Sequence, residues 1–286
     1  MTRTQITLDP PIALGGGALF RLGARIPTEG RLSWVPAGVT EPFPLNVYVL
    51  TSEQRAIVVD TGPLVLYPQL LEQIRTVVGD RELAILVTRN DPEAMGGVGS
   101  LLPQLAPSVF YYYGGGSILE WVWDERDGPG ASGDLFDTVP VDSPTEIALE
   151  GDRIVQIIRP PLAVLNTVWL YDPTSKTLFT SDGLGYLPSD QPADSVVDDR
   201  GDVDADRTRA FISARFDWIA RLNSTRLADE LHELLQPLEI ENLAPSHGVV
   251  VRGAAAVDRY LQTVLECLRP EDPGVDELST AGTGGR

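Results

Sequence analysis

The stretch Leu86-Val-Thr-Arg89-Asn-Asp91-Pro-Glu93-Ala-Met-Gly-Gly97 decides how this chain is read. It grows out of an apolar run, Leu83 to Val87, that reads as a buried strand. The run stops at Thr88, and Thr88 to Glu93 is a polar loop. Arg89, Asp91 and Glu93 place three charged groups on five residues. Gly96-Gly97 follows, then a helical pattern around Val98–Leu105. Charge gathered just past the end of a buried strand lies where open α/β sheets keep their ligands.

Upstream, Ala18–Arg25 and Arg31–Val35 read as short strands with a turn at Pro27 and Gly30. Residues 1–16 read as irregular. Asn46–Thr51 and Ala56–Asp60 form a strand pair that ends in Asp60-Thr-Gly62. Tyr67–Val78 puts Leu70, Leu71, Ile74, Val77 and Val78 on one helical face. Downstream, Val109–Tyr113, Thr138–Val141, Thr145–Leu149, Arg153–Arg159, Val168–Tyr171 and Thr177–Thr180 read as strands. Ile118–Glu125 reads as a short helix carrying Trp121 and Trp123. Ser189–Asp206, with seven aspartates and one arginine, reads as a solvated, mobile loop. Arg207–Leu222, Thr225–Leu235 and Ala254–Leu268 are helices, with a strand over Glu239–Pro245. Residues 269–286 are rich in Gly, Pro and acid and read as a disordered tail. The pattern supports one α/β or α+β domain.

Composition narrows the function. The chain has 286 residues and a net charge of −19, which argues against the clustered Lys and Arg that neutralise nucleic-acid phosphates. No run of about 18 apolar residues is present, so no membrane span is expected. The start Met-Thr-Arg-Thr-Gln-Ile lacks the apolar core of a signal peptide, so a cytoplasmic location is expected. A single cysteine, Cys267, excludes an intrachain disulfide and a cysteine metal cluster, and reads as a buried small residue of the last helix. Histidine occurs twice, at His232 and His247, too rarely to build a dinuclear imidazole site.

The opening loop resembles the metal-binding loop of the metallo-β-lactamase fold in its flavodiiron form, His-x-Glu-x-Asp-His-x-Gly. Arg89 stands at the first His, Asp91 at the Glu, Glu93 at the Asp and Ala94 at the second His. Other segments resemble the same family in the same order. Asn46-Val-Tyr-Val-Leu with Val58-Val-Asp60-Thr-Gly62 is similar to its opening hairpin, and Leu149–Ile154 to the hairpin before the third ligand. Pro161–Tyr171 resembles the segment that supplies that ligand, with Ala163 at the His position. Leu178-Phe-Thr-Ser-Asp182-Gly-Leu-Gly185 resembles the strand end whose Asp bridges two metals, and Leu243-Ala-Pro-Ser-His247-Gly248 the last ligand motif. The resemblance spans about residues 30–265. It implies an α+β fold, the αββα four-layer sandwich, as one domain over 1–268. It points to the oxygen-binding di-iron (ODP-like) branch, without the flavodoxin domain because the sequence ends soon after its last helix. A homodimer is a further implication.

Four of seven ligand positions keep donors: Asp91, Glu93, Asp182 and His247. Arg89, Ala94 and Ala163 stand at the other three. Taken singly, each motif has a plainer reading. Asp182-Gly is a turn, Ser246-His-Gly a polar loop, and Glu93 an acid favoured by a helix start. Taken together they lead to a domain with a degraded metal site and no tightly bound cofactor, non-catalytic or weakly catalytic, with a binding, sensory or structural role toward an unspecified small molecule. The alternative is a hydrolase that activates water on one divalent ion, Mn, Fe or Zn, with oxygen donors favouring the harder ions. Oxygen or NO reduction ranks last, because it needs both metals and an electron source. Arg89 either points outward and leaves a weak metal site, or turns inward and replaces metal charge. The inward orientation is expected, because converging carboxylates repel unless protonated or counter-charged. Trp121, Trp123 and Tyr111–Tyr113 read as core or interface aromatics before pocket walls. The glycines of 114–116 and 128–133 read as permissive loops.

Overall fold

The computed structural model describes residues 6–28, 35–112, 137–164, 166–189, 192 and 195–269. Alternation along the strands explains the layering. In β3 (Phe43–Thr51), Val47 and Val49 face one way while Tyr48 and Leu50 face the other. In β4 (Arg55–Val59), Ala56 and Val58 oppose Ile57 and Val59, and in β5 (Glu82–Val87), Leu83, Ile85 and Val87 oppose Leu86. Both faces are apolar, so the sheet must be covered on both sides.

That sheet runs β1 (Ile12–Leu14), β2 (Leu19–Ile26), β3, β4, β5, β6 (Val109–Tyr112), β7 (Asp137–Pro140). Its pairs are antiparallel as far as β4 and parallel from β4 to β7. The second sheet is built from β8 (Thr145–Glu150), β9 (Arg153–Ile158), β10 (Trp169–Asp172), β11 (Thr177–Ser181), β12 (Val197–Asp198), β13 (Asn242–Pro245) and β14 (Val250–Arg252), in the order β12-β14-β13-β11-β10-β9-β8. One core lies between the sheets, where Tyr48, Leu50, Ile57 and Leu86 meet Leu149, Val155, Leu170 and Phe179. A second lies under α1 (Gln69–Val78) and α3 (Val98–Leu105). A third lies under α4 (Ala205–Arg215), α5 (Ser224–Leu235) and α6 (Ala254–Leu268). On α6, Val257, Tyr260, Leu261, Val264 and Leu268 repeat at three- and four-residue spacing toward the sheet. Each large apolar side chain so buried contributes about 1.5–3 kcal/mol before entropy is counted. The layers are therefore α, β, β, α, as the resemblance implies.

Several boundaries differ from the sequence reading. Residues 12–14 form a strand because they pair with Leu19–Arg21. Val250–Arg252 is a strand that the sequence reading passed over, and it pairs with β12 and β13. The acidic stretch is not simply solvated. Asp198 is fully buried, accepting the Tyr186 hydroxyl at 2.6 Å and the Arg200 amide at 2.9 Å, and Asp204 caps α4. The helix expected over 207–222 breaks at Phe216 into α4 and a short 3-10 turn, Asp217–Arg221. Cys267 is half-buried rather than fully enclosed, with its thiol against the Ala205 carbonyl. Tyr111 packs against the inter-sheet core and Tyr112 against the core under α1 and α3. Residues 31–34 of the strand expected over 31–35, Tyr113, the helix with Trp121 and Trp123, both glycine clusters and residues 270–286 lie outside the described residues, and Val35 forms a bend. No helix among the described residues is long and apolar enough to cross a membrane.

Candidate functional site

The parallel strands β4 and β5 end side by side, as do β11 and β13 in the other sheet. Their carboxyl ends meet at one edge of the sandwich. From β4 comes Asp60, from β5 Thr88 and Arg89, from β11 Ser181 and Asp182, and from β13 Ser246 and His247. Two isolated bridges, Leu45 with His247 and Arg89 with Thr167, tie the sheets together there.

Asp91-Pro-Glu93 starts a helix by local chemistry. Asp91 is the N-cap of α2 (Pro92–Met95), with Pro92 at the first helical position, where no amide is missed. Its Oδ1 accepts the Glu93 and Ala94 amides, each at 2.9 Å. Its Oδ2 is left for Arg89, whose Nε donates to it at 2.5 Å.

Arg89 turns inward, and its side chain is 0% exposed. Its Nη1 donates to Ser181 Oγ at 2.9 Å and lies 3.9 Å from Asp60 Oδ2. Its Nη2 lies 3.4 Å from Glu93 Oε2 and 2.9 Å from His247 Nε2. Burial works against the guanidinium charge, but Asp91, then Asp182 and Asp60, outweigh it and raise the pKa. His247 Nε2 lies 2.6 Å from Glu93 Oε2. Burial pushes the imidazole pKa down, and a neutral ring that donates its Nε2 proton to Glu93 cannot also accept from Arg89 there, so Arg89 Nη2 is satisfied by Glu93 instead. Burial acts to raise the Glu93 carboxyl, yet the His247 hydrogen bond and the Arg89 charge hold it down to about 2.

Behind this layer, Asp60 is 3% exposed and takes the left-handed φ of 59°. Such a backbone at a non-glycine residue costs of order 1–3 kcal/mol unless its surroundings fix it. Three donors fix Asp60: the Thr88 amide at 2.8 Å, Thr88 Oγ1 at 2.9 Å and Ser246 Oγ at 2.7 Å. Burial raises its pKa against the opposing charge of Arg89. Asn46 holds the His247 loop by donating to the Pro245 and Gly248 carbonyls, both at 2.8 Å.

The structure thus brings Arg89, Asp91, Glu93 and His247 into direct contact. Asp182 shares a cavity of about 20 Å³ with His247, but its ion-pair partner is Arg215, with Nη2 to Oδ2 at 3.0 Å. Ala94 is buried in α2, and its carbonyl accepts from Thr61. Ala163 is half-buried in a loop tied to β5 through the bridge of Thr167 to Arg89 and the Val168 amide on the Thr88 carbonyl. Among the described residues, no group of three or more His, Cys, Asp or Glu is placed to hold a metal ion. Sequence reasoning missed Arg215 and Asn46. The spacing of Arg215 from Phe211 and Ile212 was the available signal for the first.

The sequence pattern of the ODP family beta-lactamases matches residues 43–248, most of the chain and every strand end just described. The chain belongs to the ODP family. Solved structures agree on the ODP-family fold at low identity. Rubredoxin oxygen:oxidoreductase from Desulfovibrio gigas matches at TM-score 0.60 and 17% identity, over 87% of this chain and 59% of that one. A flavoprotein from Thermotoga maritima matches at TM-score 0.66 and 15% identity, over 94% and 64%. A fragment of a putative diflavin flavoprotein from Nostoc sp. matches at TM-score 0.62 and 17% identity, over 92% and 98%. This ODP-family chain therefore spans about six-tenths of the first two proteins. No curated protein sequence matches it.

Proposed function

We propose that this ODP-family domain has exchanged its metal centre for a buried ion-pair network and serves as a metal-independent binding or structural module. One observation carries the reading: the Arg89 guanidinium lies among Asp91, Glu93, Ser181 and His247, fully shielded from water. A cation held there by the chain itself meets the charge demand of the carboxylates without a metal. Most of the donors that remain are already committed, Asp91 to a helix cap and Arg89, His247 to Glu93, and Oδ2 of Asp182 to Arg215. That donor set does not suit a two-metal centre, so reduction of oxygen or NO, the reading nearest to the names of the structural relatives, is not proposed. Hydrolysis through one metal-bound water would require the same donors to be released from these contacts.

The test is metal content. Protein purified and dialysed against a weak chelator is expected to hold well under one equivalent of Fe, Mn or Zn by elemental analysis. Its unfolding midpoint should not rise when these ions are added, since a ligand that binds the native state alone would raise it. A stoichiometric metal pair would overturn the proposal, and a midpoint that climbs with one ion would support the hydrolase instead.

A further inference from the structure

We infer that Arg215 is a second built-in cation, which holds Asp182, the residue at the position that bridges two metals in the motif it resembles. The inference rests on the proposed loss of the metal centre and extends it to a residue outside the ligand motifs.

Arg215 is the last residue of α4, on the face defined by Phe211 and Ile212, both buried against the second sheet. Positions three and four residues apart lie on one side of a helix, so Arg215 is carried inward with them. Its Nη2 reaches Asp182 Oδ2 at 3.0 Å, with side-chain exposures of 14% and 0%. Arg89 reaches Asp91 and Glu93 but makes no ion pair with Asp182 among the described contacts. The charges of the two guanidinium groups overlap, since Asp182 also raises the Arg89 pKa and Arg215 also lowers that of Glu93, but the ion pair of Asp182 is with Arg215. One arrives on the loop after β5, the other on a helix of the outer layer. Asp182 Oδ1 is buried with no hydrogen-bond partner among the described residues. It lines the small cavity with Arg215, Gly185, Phe211, Phe216 and His247. The single guanidinium thus satisfies one carboxylate oxygen and leaves the other buried and unpaired.

The consequence is specific. Returning imidazoles to the three vacated positions should not be enough to restore a metal site, because Arg215 still holds the bridging carboxylate and a fixed positive charge beside it. The experiment compares Arg89→His/Ala94→His/Ala163→His with the same triple variant carrying Arg215→Ala. Manganese and zinc binding are read by titration calorimetry, and bound metal by elemental analysis. The four-fold variant is expected to bind at least ten-fold more tightly than the triple. Equal affinity in the two would overturn the role of Arg215. Metal bound stoichiometrically by the unaltered protein would instead overturn the proposed function, so the two failures are read on different samples.

If the triple variant does not fold, a thermodynamic cycle decides the same point. Arg215→Ala is measured in the natural background and in Asp182→Asn, where the carboxylate charge is gone. The fall in unfolding midpoint should be at least twice as large in the natural background. Equal falls would show that Arg215 acts elsewhere than on Asp182, and the inference would be wrong.

Discussion

At the scale of single residues, Arg89 is the side chain on which the site depends most. Removing one partner of a buried charge pair leaves the other partners desolvated and unpaired, which costs about 3 kcal/mol or more. Arg89→Ala is expected to lower stability by that amount, read by thermal or denaturant unfolding at pH 7. Arg89→Lys should recover only part of it. A lysine is a single point donor and cannot reach Asp91 Oδ2, Ser181 Oγ and Glu93 Oε2 together as the planar fork does. An unchanged midpoint in Arg89→Ala would reject the idea that its charge holds the site together. Glu93 gives the matching pH prediction. Its folded pKa is depressed from 4.5 to about 2 by the His247 hydrogen bond and the Arg89 charge, against a burial cost of opposite sign. In the unfolded chain the carboxyl takes up its proton near the ordinary value, so acid favours unfolding. The stability that Glu93 contributes is complete above about pH 4.5 and is lost as pH falls toward 2. Glu93→Gln should therefore show a shallower decline of midpoint across that window than the natural protein. Parallel curves for the two proteins would mean that Glu93 is not held ionised by this network.

At the scale of elements, what was readable in the sequence follows from where each constraint acts. The strand-end motifs could be read because each is local: an apolar run buried on both faces, then a short polar turn with a fixed job. Asp91-Pro-Glu93 is such a turn, and its cap and first helical residue are neighbours in sequence. α6 was read to its final residue because its apolar spacing is continuous over four turns. The 250–252 strand was not read, because three residues carry too little periodicity and its existence depends on pairing with β12 and β13. Asp198 was misplaced because its burial is tertiary, with the hydroxyl of Tyr186, twelve residues away, as a partner. Arg215 was missed for the same physical reason. Its helix is set against the sheet by tertiary packing, and nothing within α4 states that Asp182 waits opposite. Close backbone approach is equally hidden. A Cβ on Gly185 would stand 2.1 Å from the His247 carbonyl oxygen, and Gly248 holds a φ of 95° beneath Tyr186. The glycines are visible in the sequence, but their reason is a neighbouring loop about sixty residues away.

At the scale of the whole molecule, the site is one end of a polar chain that crosses the apolar sandwich. Arg21, fully buried in β2, donates to Asp9 at 2.8 Å and to Asn46 at 2.7 Å. Asn46 grips the loop of His247, Ser246 on that loop donates to Asp60, and Asp60 meets Thr88, Ser181 and Arg89 in turn. The chain thus joins the N-terminal segment, the first sheet and the last ligand motif. Buried polar groups are stabilising only when every member is satisfied, so the far end should matter to the near one. Asp9→Ala leaves the Arg21 guanidinium in the core with uncharged partners only. It is expected to cost about 3 kcal/mol, or roughly 6–12 °C in unfolding midpoint for a domain of this size. Because Arg21 positions Asn46, the loss should also be felt at the site. The Ser246 and Gly248 amides, bonded to the Ser181 and Pro44 carbonyls, should exchange hydrogen faster in Asp9→Ala. Asp9→Ala/Arg21→Met removes both charges and should regain most of the midpoint, since a buried pair replaced by apolar groups is often neutral. It should not restore slow exchange at Ser246 and Gly248, because Asn46 then lacks its Arg21 donor. A single variant that melts with the natural protein, or a double variant with full protection at those amides, would show that the two ends are independent.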